Sequence, residues 1–362
     1  MELKKQKRIE YIDIAKGIGI ILMVLGHSLN QDSKLRTFIY LFHMPLFFLI
    51  SGYFIKKESF NNIKQFFFKR VKGLYLPFLK YSLIFVMLNN IFVNLHIYNN
   101  MGYTKRYNII EFIKAIINSF LFRRVDYLLG AFWFLYILFL AEMIFVLTGK
   151  VVLKVIKKNQ DVFIGLSSLI YFIIGVILSI KEVNLPERLN LIFVPIFFIY
   201  LGYLYRIYEK SIKYNIKTFI ACVIILFILT YKNAKVEMAA NTFSNPIIFI
   251  LGALLGIYCV FYCSKLISMK NNYIKRFILY AGQNTIIIMA LHLLSFKVIN
   301  VLQVIIYKKP IDLIANLPTL YSNGIWWILY TIVGVVIPLI INYLLKDYFL
   351  HKGRNTKWRI IY

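Results

Sequence analysis

Residues 11–28 read Tyr-Ile-Asp-Ile-Ala-Lys-Gly-Ile-Gly-Ile-Ile-Leu-Met-Val-Leu-Gly-His-Ser, an apolar run holding one aspartate, one lysine and one histidine. A run of this length crosses a bilayer as a single helix. Ionisable side chains inside such a run are costly, so each is a functional candidate. Lys16 and His27 are 11 residues apart. At 100° per residue that is 20° past three turns, so both lie on one face, about 16 Å apart along the axis. Asp13 precedes Lys16 by three residues, within reach of a local ion pair. Gly17, Gly19 and Gly26 allow close approach of a neighbouring backbone or a ligand. Spacing alone leaves two readings open: a functional pair, or a lysine snorkelling to the interface and a hydrogen-bonded core histidine. The basic leader Met1–Arg8 is followed by no small-x-small cleavage site, so the run is read as retained.

Nine further runs resemble this one. The ten cover roughly 12–30, 37–55, 73–95, 128–148, 162–180, 189–206, 215–231, 245–263, 277–304 and 324–345. The 362-residue chain is 60% hydrophobic and 16% charged, with mean hydropathy +0.71, too little polar surface to wrap a water-soluble core. A secreted disulfide scaffold, a disordered chain and a soluble nucleic-acid binder are excluded. The expected fold class is all-α, a polytopic membrane helix bundle forming one domain over 1–362. The longest connection, 96–127, holds an amphipathic stretch, Ile109 to Phe122, suited to the interface plane. Cys222, Cys259 and Cys263 sit within or beside apolar runs without metal spacing and read as packing residues.

The net charge of +28 is spread over short clusters between runs, unlike the single patch of a nucleic-acid binder. The N-terminus and the connections after even-numbered runs carry 27 Lys and Arg, the opposite side 13. This bias places both termini in the cytoplasm.

More ionisable groups follow. Run two holds His43 ahead of Pro45, which kinks or loosens the helix and frees a carbonyl. The short connection makes runs one and two antiparallel neighbours, so His43 approaches His27. A histidine pair suits proton transfer near neutral pH; without nearby carboxylates it is a poor metal site. Lys69, Arg70 and Lys72 stand at the entry to run three, where they match either a phosphate-bearing ligand or lipid headgroups. Trp133 opens run four as an interfacial anchor. Glu142 lies near the middle of that run and needs a partner, expected to be a cation of run one or three. Run nine carries a polar turn, Gln283-Asn284-Thr285, and a mid-span His292. The usual soluble-enzyme signatures are absent.

Taken in order, Asp13-Ile-Ala-Lys16-Gly-Ile-Gly, Gly26-His27, Phe42-His43-Met-Pro45, Ser51-Gly52-Tyr53, Lys69-Arg70 to Leu76-Pro77, Trp133-Phe134-Leu135, Pro195 to Gly202-Tyr203 and Gly282-Gln-Asn-Thr to His292 resemble the acyltransferase-3 family of integral membrane acyltransferases over essentially the whole chain. The Asp-Ile-Ala-Lys-Gly stretch is similar to the fucose and polysaccharide O-acetyltransferase subgroup. Many members carry Arg where this chain has Lys16, which keeps the charge and loses the bidentate fork.

The resemblance implies about ten helices in an inner (cytoplasmic) membrane of a bacterial cell envelope. It implies transfer of an acyl group, commonly acetyl, from cytoplasmic acyl-coenzyme A to a hydroxyl of a cell-surface or lipid-linked glycan. His27 would be the base or a transient acyl carrier, with His43 orienting the acceptor or sharing the proton. Lys16, Arg70 and Lys72 would bind the donor. Trp133 and His292 would line the acceptor path, with Glu142 and Asn284 in support. No metal and no bound cofactor is expected, acetyl-CoA being a substrate; lipid bilayer, acyl-CoA and the glycan acceptor are the expected partners, and oligomeric state is left open. The rival readings are a transporter or flippase for a sugar or lipid-linked glycan, and a non-enzymatic membrane scaffold.

Overall fold

The computed structural model describes residues 8–98, 106–123, 126–232 and 235–353. Among them the helices are α1 (Glu10–Ser28), α2 (Lys34–Tyr40), α3 (His43–Tyr53), α4 (Lys57–Asn61), α5 (Ile63–Arg70), α6 (Leu76–Asn94), α7 (Ile109–Phe120), α8 (Trp133–Val155), α9 (Gln160–Ile180), α10 (Phe193–Tyr208), α11 (Ile216–Tyr231), α12 (Pro246–Ser268), α13 (Tyr273–Gln283), α14 (Thr285–Ile306) and α15 (Trp326–Gly353). Two short strands, β1 (Val236–Glu237) and β2 (Thr242–Phe243), pair antiparallel as a small hairpin. The protein is an all-α, multi-pass membrane bundle. Nine helical stretches among the described residues are long and apolar enough to span; run seven, 215–231, appears as α11, a shorter apolar helix of 16 residues.

Three expected runs are interrupted. Run two breaks at Leu41–Phe42, where Phe42 leaves helical geometry (φ −137°, ψ −19°). Pro45 then falls in the first turn of α3, where its missing N–H costs no hydrogen bond. Run three continues from α5 through a π-helical turn, Val71–Tyr75, into α6. Pro77 follows that turn, and the wider π turn relieves the clash of its ring with the preceding carbonyl. Run nine splits at Asn284 into α13 and α14. The amphipathic stretch forms α7 and lies antiparallel along α6: the Tyr75 hydroxyl donates to the Phe120 carbonyl (2.8 Å) near one end, and Asn90 bonds the Tyr107 backbone near the other. Its Ile109, Ile113, Ile117 and Phe120 stay exposed.

Association between membrane helices favours small residues that let backbones touch. A β-carbon on Gly17 would lie 2.1 Å from the Ile278 carbonyl oxygen, and one on Gly282 1.7 Å from that of Asp13, so α1 and α13 meet backbone to backbone. Gly52 and Gly202 do the same for α3 and α10, each 1.9 Å from the partner helix's carbonyl. The outer faces of the bundle carry exposed Met87, Ile170, Ile224 and Ile247, as a lipid-facing surface requires. The connections following α1, α9 and α14, the hairpin that follows α11, and the turn that leads into α8 converge at the end opposite the N-terminus, around one cavity.

Candidate active site

That cavity has a volume of about 550 Å³. The last turn of α1 brings His27 to it, the α2–α3 break brings Tyr40 and His43, and the start of α8 brings Trp133. Arg36, Glu237 and residues 317–320 complete its mouth and far wall.

For neutral imidazoles, hydrogen bonding fixes the tautomers. The Nδ1 of His292 lies 3.0 Å from the Met289 carbonyl and 3.2 Å from that of Ile288. A carbonyl can only accept, so this nitrogen carries a hydrogen, and the Nε2 of the neutral ring is a lone-pair acceptor. His27 Nδ1 lies 3.0 Å from that Nε2 and must therefore be the donor. The Nε2 of a neutral His27 is then the lone-pair nitrogen of a ring that lines the cavity. His43 follows the same logic alone: its Nδ1 donates to the Ile39 carbonyl at 3.0 Å, which leaves its Nε2 bare. That carbonyl is turned towards the ring where α2 ends. His292 is fully buried behind His27, its ring centroid 5.1 Å away and tilted 43°.

Aromatic and ionic contacts frame this pair. The Tyr40 ring lies 4.8 Å from that of His43, and the Arg36 guanidinium lies 4.0 Å over Tyr40. Arg36 also reaches Glu237 at 2.9 Å, tying α2 to the hairpin. Burial pushes the Glu237 carboxyl up from its ordinary range, and the Arg36 charge opposes this. Buried Asp126 accepts from the Tyr98 hydroxyl (2.6 Å) and the Leu128 amide (2.8 Å), fixing the turn that leads to Trp133.

The remaining sequence candidates lie nearer the N-terminal end. Lys16 pairs with Asp13 at 2.5 Å, as the three-residue spacing predicts. Glu142, fully buried nine residues beyond Trp133, has found the run-three cation: Arg70 lies 2.7 Å away, and Ser51 donates a hydrogen bond to the same carboxylate. Arg70 Nε and Nη2 and Glu142 Oε2 make no hydrogen bond among the described residues, so the contact is one of charge without aligned N–H. Lys72 is exposed. Asn284 stands at the α13–α14 break, donating to the Tyr280 carbonyl (2.7 Å) and accepting from Asn342 (2.9 Å) and Lys346 (3.0 Å). Of the nine candidates, the structure brings His27, His43 and Trp133 to the cavity, with His292 behind them; Lys16, Arg70, Lys72, Glu142 and Asn284 are elsewhere.

The sequence pairs His27 with His43, whereas its hydrogen-bonded partner is His292. It also does not reveal the Arg36–Glu237 tie or the environment of Lys297. The signal for Lys297 was present: Lys297, Asn300 and Gln303 recur every three residues on one face of an apolar helix.

A family model described as an acyltransferase domain matches residues 9–343. No curated protein and no solved structure matches the chain. The match spans the bundle from the first turn of α1 into α15 and takes in the cavity, the histidines and both sets of charged pairs, and the chain belongs to the acyltransferase-3 family of membrane acyltransferases.

Proposed function

We propose that the protein is an O-acyltransferase, with acetyl the expected group, that takes an acyl chain from acyl-coenzyme A on the cytoplasmic side and esterifies a hydroxyl of a glycan or lipid-linked saccharide in the cavity. The hydrogen-bond chain behind His27 supports this most, because it leaves Nε2 as the lone-pair nitrogen of a neutral imidazole beside the cavity. In this reading Nε2 takes the proton of the acceptor hydroxyl as its oxygen attacks the thioester carbonyl. The C–S bond then breaks, the coenzyme A thiolate leaves, and the His27 proton passes to it, so ester and free thiol are the products. While His27 is positive, His292 Nε2 accepts from its Nδ1–H and shares the charge, and the Met289 carbonyl holds His292 in the required tautomer. His43, with its own bare Nε2, orients the acceptor by accepting from a second hydroxyl. Trp133 and Tyr40 offer aromatic faces of the kind that pack on sugar rings.

The donor approaches from the opposite end. The 27 to 13 distribution of basic residues supports a cytoplasmic position for that end. Lys16, Arg70 and Lys72 then face the diphosphate of coenzyme A, whose thin pantetheine arm runs inward. Lys16 lies about 16 Å below His27 along α1, so the arm has to cover that distance.

The test is the O-acyl ester content of surface glycans in three strains: intact, gene-deleted, and deleted but carrying His27→Ala. Loss of one ester in both altered strains, with the variant present in the membrane, is expected. An ester retained by the His27→Ala strain removes His27 from the chemistry. Esters unchanged in all three remove the transferase reading and favour a transporter.

A further inference from the structure

Lys297 is 3% exposed in a membrane helix, and it forms no ion pair among the described residues. Its three N–H donors all go to backbone: the carbonyls of Ile314 (3.1 Å), Ala315 (2.9 Å) and Asn316 (2.8 Å). Asn300, one turn further on, donates to the carbonyls of Ile314 (2.9 Å) and Asn316 (3.0 Å). Gln303 bonds Tyr321 twice, donating to its carbonyl (2.8 Å) and accepting from its amide (3.1 Å). The Tyr330 hydroxyl of α15 accepts from the Leu320 amide (3.2 Å) and faces Asn300 Oδ1 (2.5 Å) and Gln303 Oε1 (3.0 Å).

These bonds share one target. They grip the α14–α15 connection at 314–316 and again at 320–321, and the segment spanned by those grips, Leu317–Leu320, is the far wall of the cavity. The connection itself has only the short 3₁₀ turn Ile311–Ala315. Nineteen residues without further regular structure would otherwise be mobile. A buried ammonium with no counter-ion is among the costliest groups a membrane helix can carry. A methionine of similar length would pack there at far lower cost, so the cost argues for a specific task. The same helix carries His292, five residues earlier, and thus fixes the wall relative to the base.

We propose that Lys297 is a positioning residue which, with Asn300, Gln303 and Tyr330, holds Leu317–Leu320 as the wall that selects the acceptor hydroxyl compound by shape. The wall presents three apolar side chains and one hydroxyl, Thr319, suited to the C–H face and one hydroxyl of a pyranose. This rests on the acyltransferase reading and names the part of the site that reads the acceptor; the donor does not touch it.

The experiment uses the full chain in lipid nanodiscs, acetyl-CoA, and methyl pyranosides of glucose, galactose, fucose and N-acetylglucosamine as acceptor probes, with transfer and calorimetric binding both measured. For Lys297→Met the ratio of kcat/KM between the best and the worst glycoside falls by about tenfold, the KM of acetyl-CoA stays within about twofold, and amide exchange of 314–321 accelerates. Lys297→Arg, which keeps the cation, restores most of the selectivity. Thr319→Val and Leu317→Ala alter the ranking with the grip intact, which covers a Lys297→Met chain that does not fold. A Lys297→Met enzyme with unchanged exchange at 314–321, or with the same loss for every glycoside, overturns the proposal. If those two wall variants leave the ranking untouched, the wall does not select. A wild type that neither binds nor acylates any glycoside overturns the acceptor assignment and this proposal with it.

Discussion

The two ends of the bundle differ in the groups around their candidate site residues, although the cavity end also carries an ion pair, Arg36–Glu237. Near the N-terminus, cations are matched by carboxylates: Lys16 by Asp13, Arg70 by Glu142, Lys275 by Glu10. Glu209 there collects the hydroxyls of Tyr11 (2.5 Å) and Tyr53 (2.7 Å), with Lys265 at 3.8 Å. At the cavity end His43 and His292 are imidazoles pinned to backbone carbonyls. A charge-balanced end can take up an anionic ligand by exchanging partners. A carbonyl-pinned imidazole keeps its ring oriented and its Nε2 lone pair directed. Under the proposed function, charge recognition falls to one end and proton transfer to the other.

Four substitutions break or sharpen this contrast. His27→Gln removes the proposed base and is expected to lower transfer by about 10²–10⁴ with the acyl-CoA KM little changed, read as release of coenzyme A. Glu142→Ala strands the largely buried Arg70 and is expected to cost about 3 kcal/mol, seen as loss of detergent-resistant folded protein, whereas Arg70→Met combined with Glu142→Met recovers much of it. His292→Ala leaves His27 in place and deprives its Nδ1–H of an acceptor. Its kcat is expected to fall by about 10- to 100-fold, with the acid limb of the pH profile displaced relative to wild type. Glu237→Gln at the partly exposed mouth is worth about 0.5 kcal/mol or less and is expected to change the acceptor KM by about twofold. Because burial raises the Glu237 carboxyl, its protonation as pH falls opens the same pair in the wild type, so the two enzymes converge in acid.

Much of the bundle was legible because a helix of about 20 apolar residues leaves an unmistakable one-dimensional trace. The breaks were not, since they depend on where a proline falls within a turn: Pro45 lies in the first turn of α3, and Pro77 follows a π turn. Asp13–Lys16 was readable because both partners lie on one helix. Glu142–Arg70 was readable only as the need for a cation of run one or three. His27 and His43 were visible as histidines within spans, whereas the bond from His27 to His292 joins residues 265 positions apart and leaves no local pattern. Lys297 was visible as a lysine within a run, but its partners were not, because they are main-chain carbonyls, which every residue possesses.

The most direct measurement is acyl transfer by purified wild-type and His27→Gln protein in nanodiscs, with radiolabelled acetyl-CoA and a glycan acceptor, alongside binding of acetyl-CoA to each. The account predicts transfer by the wild type, loss of transfer in the variant, and equal donor binding by both. A variant that transfers at the wild-type rate, or one that loses donor binding together with turnover, contradicts the division of the molecule into a charge-recognising end and a proton-transferring end.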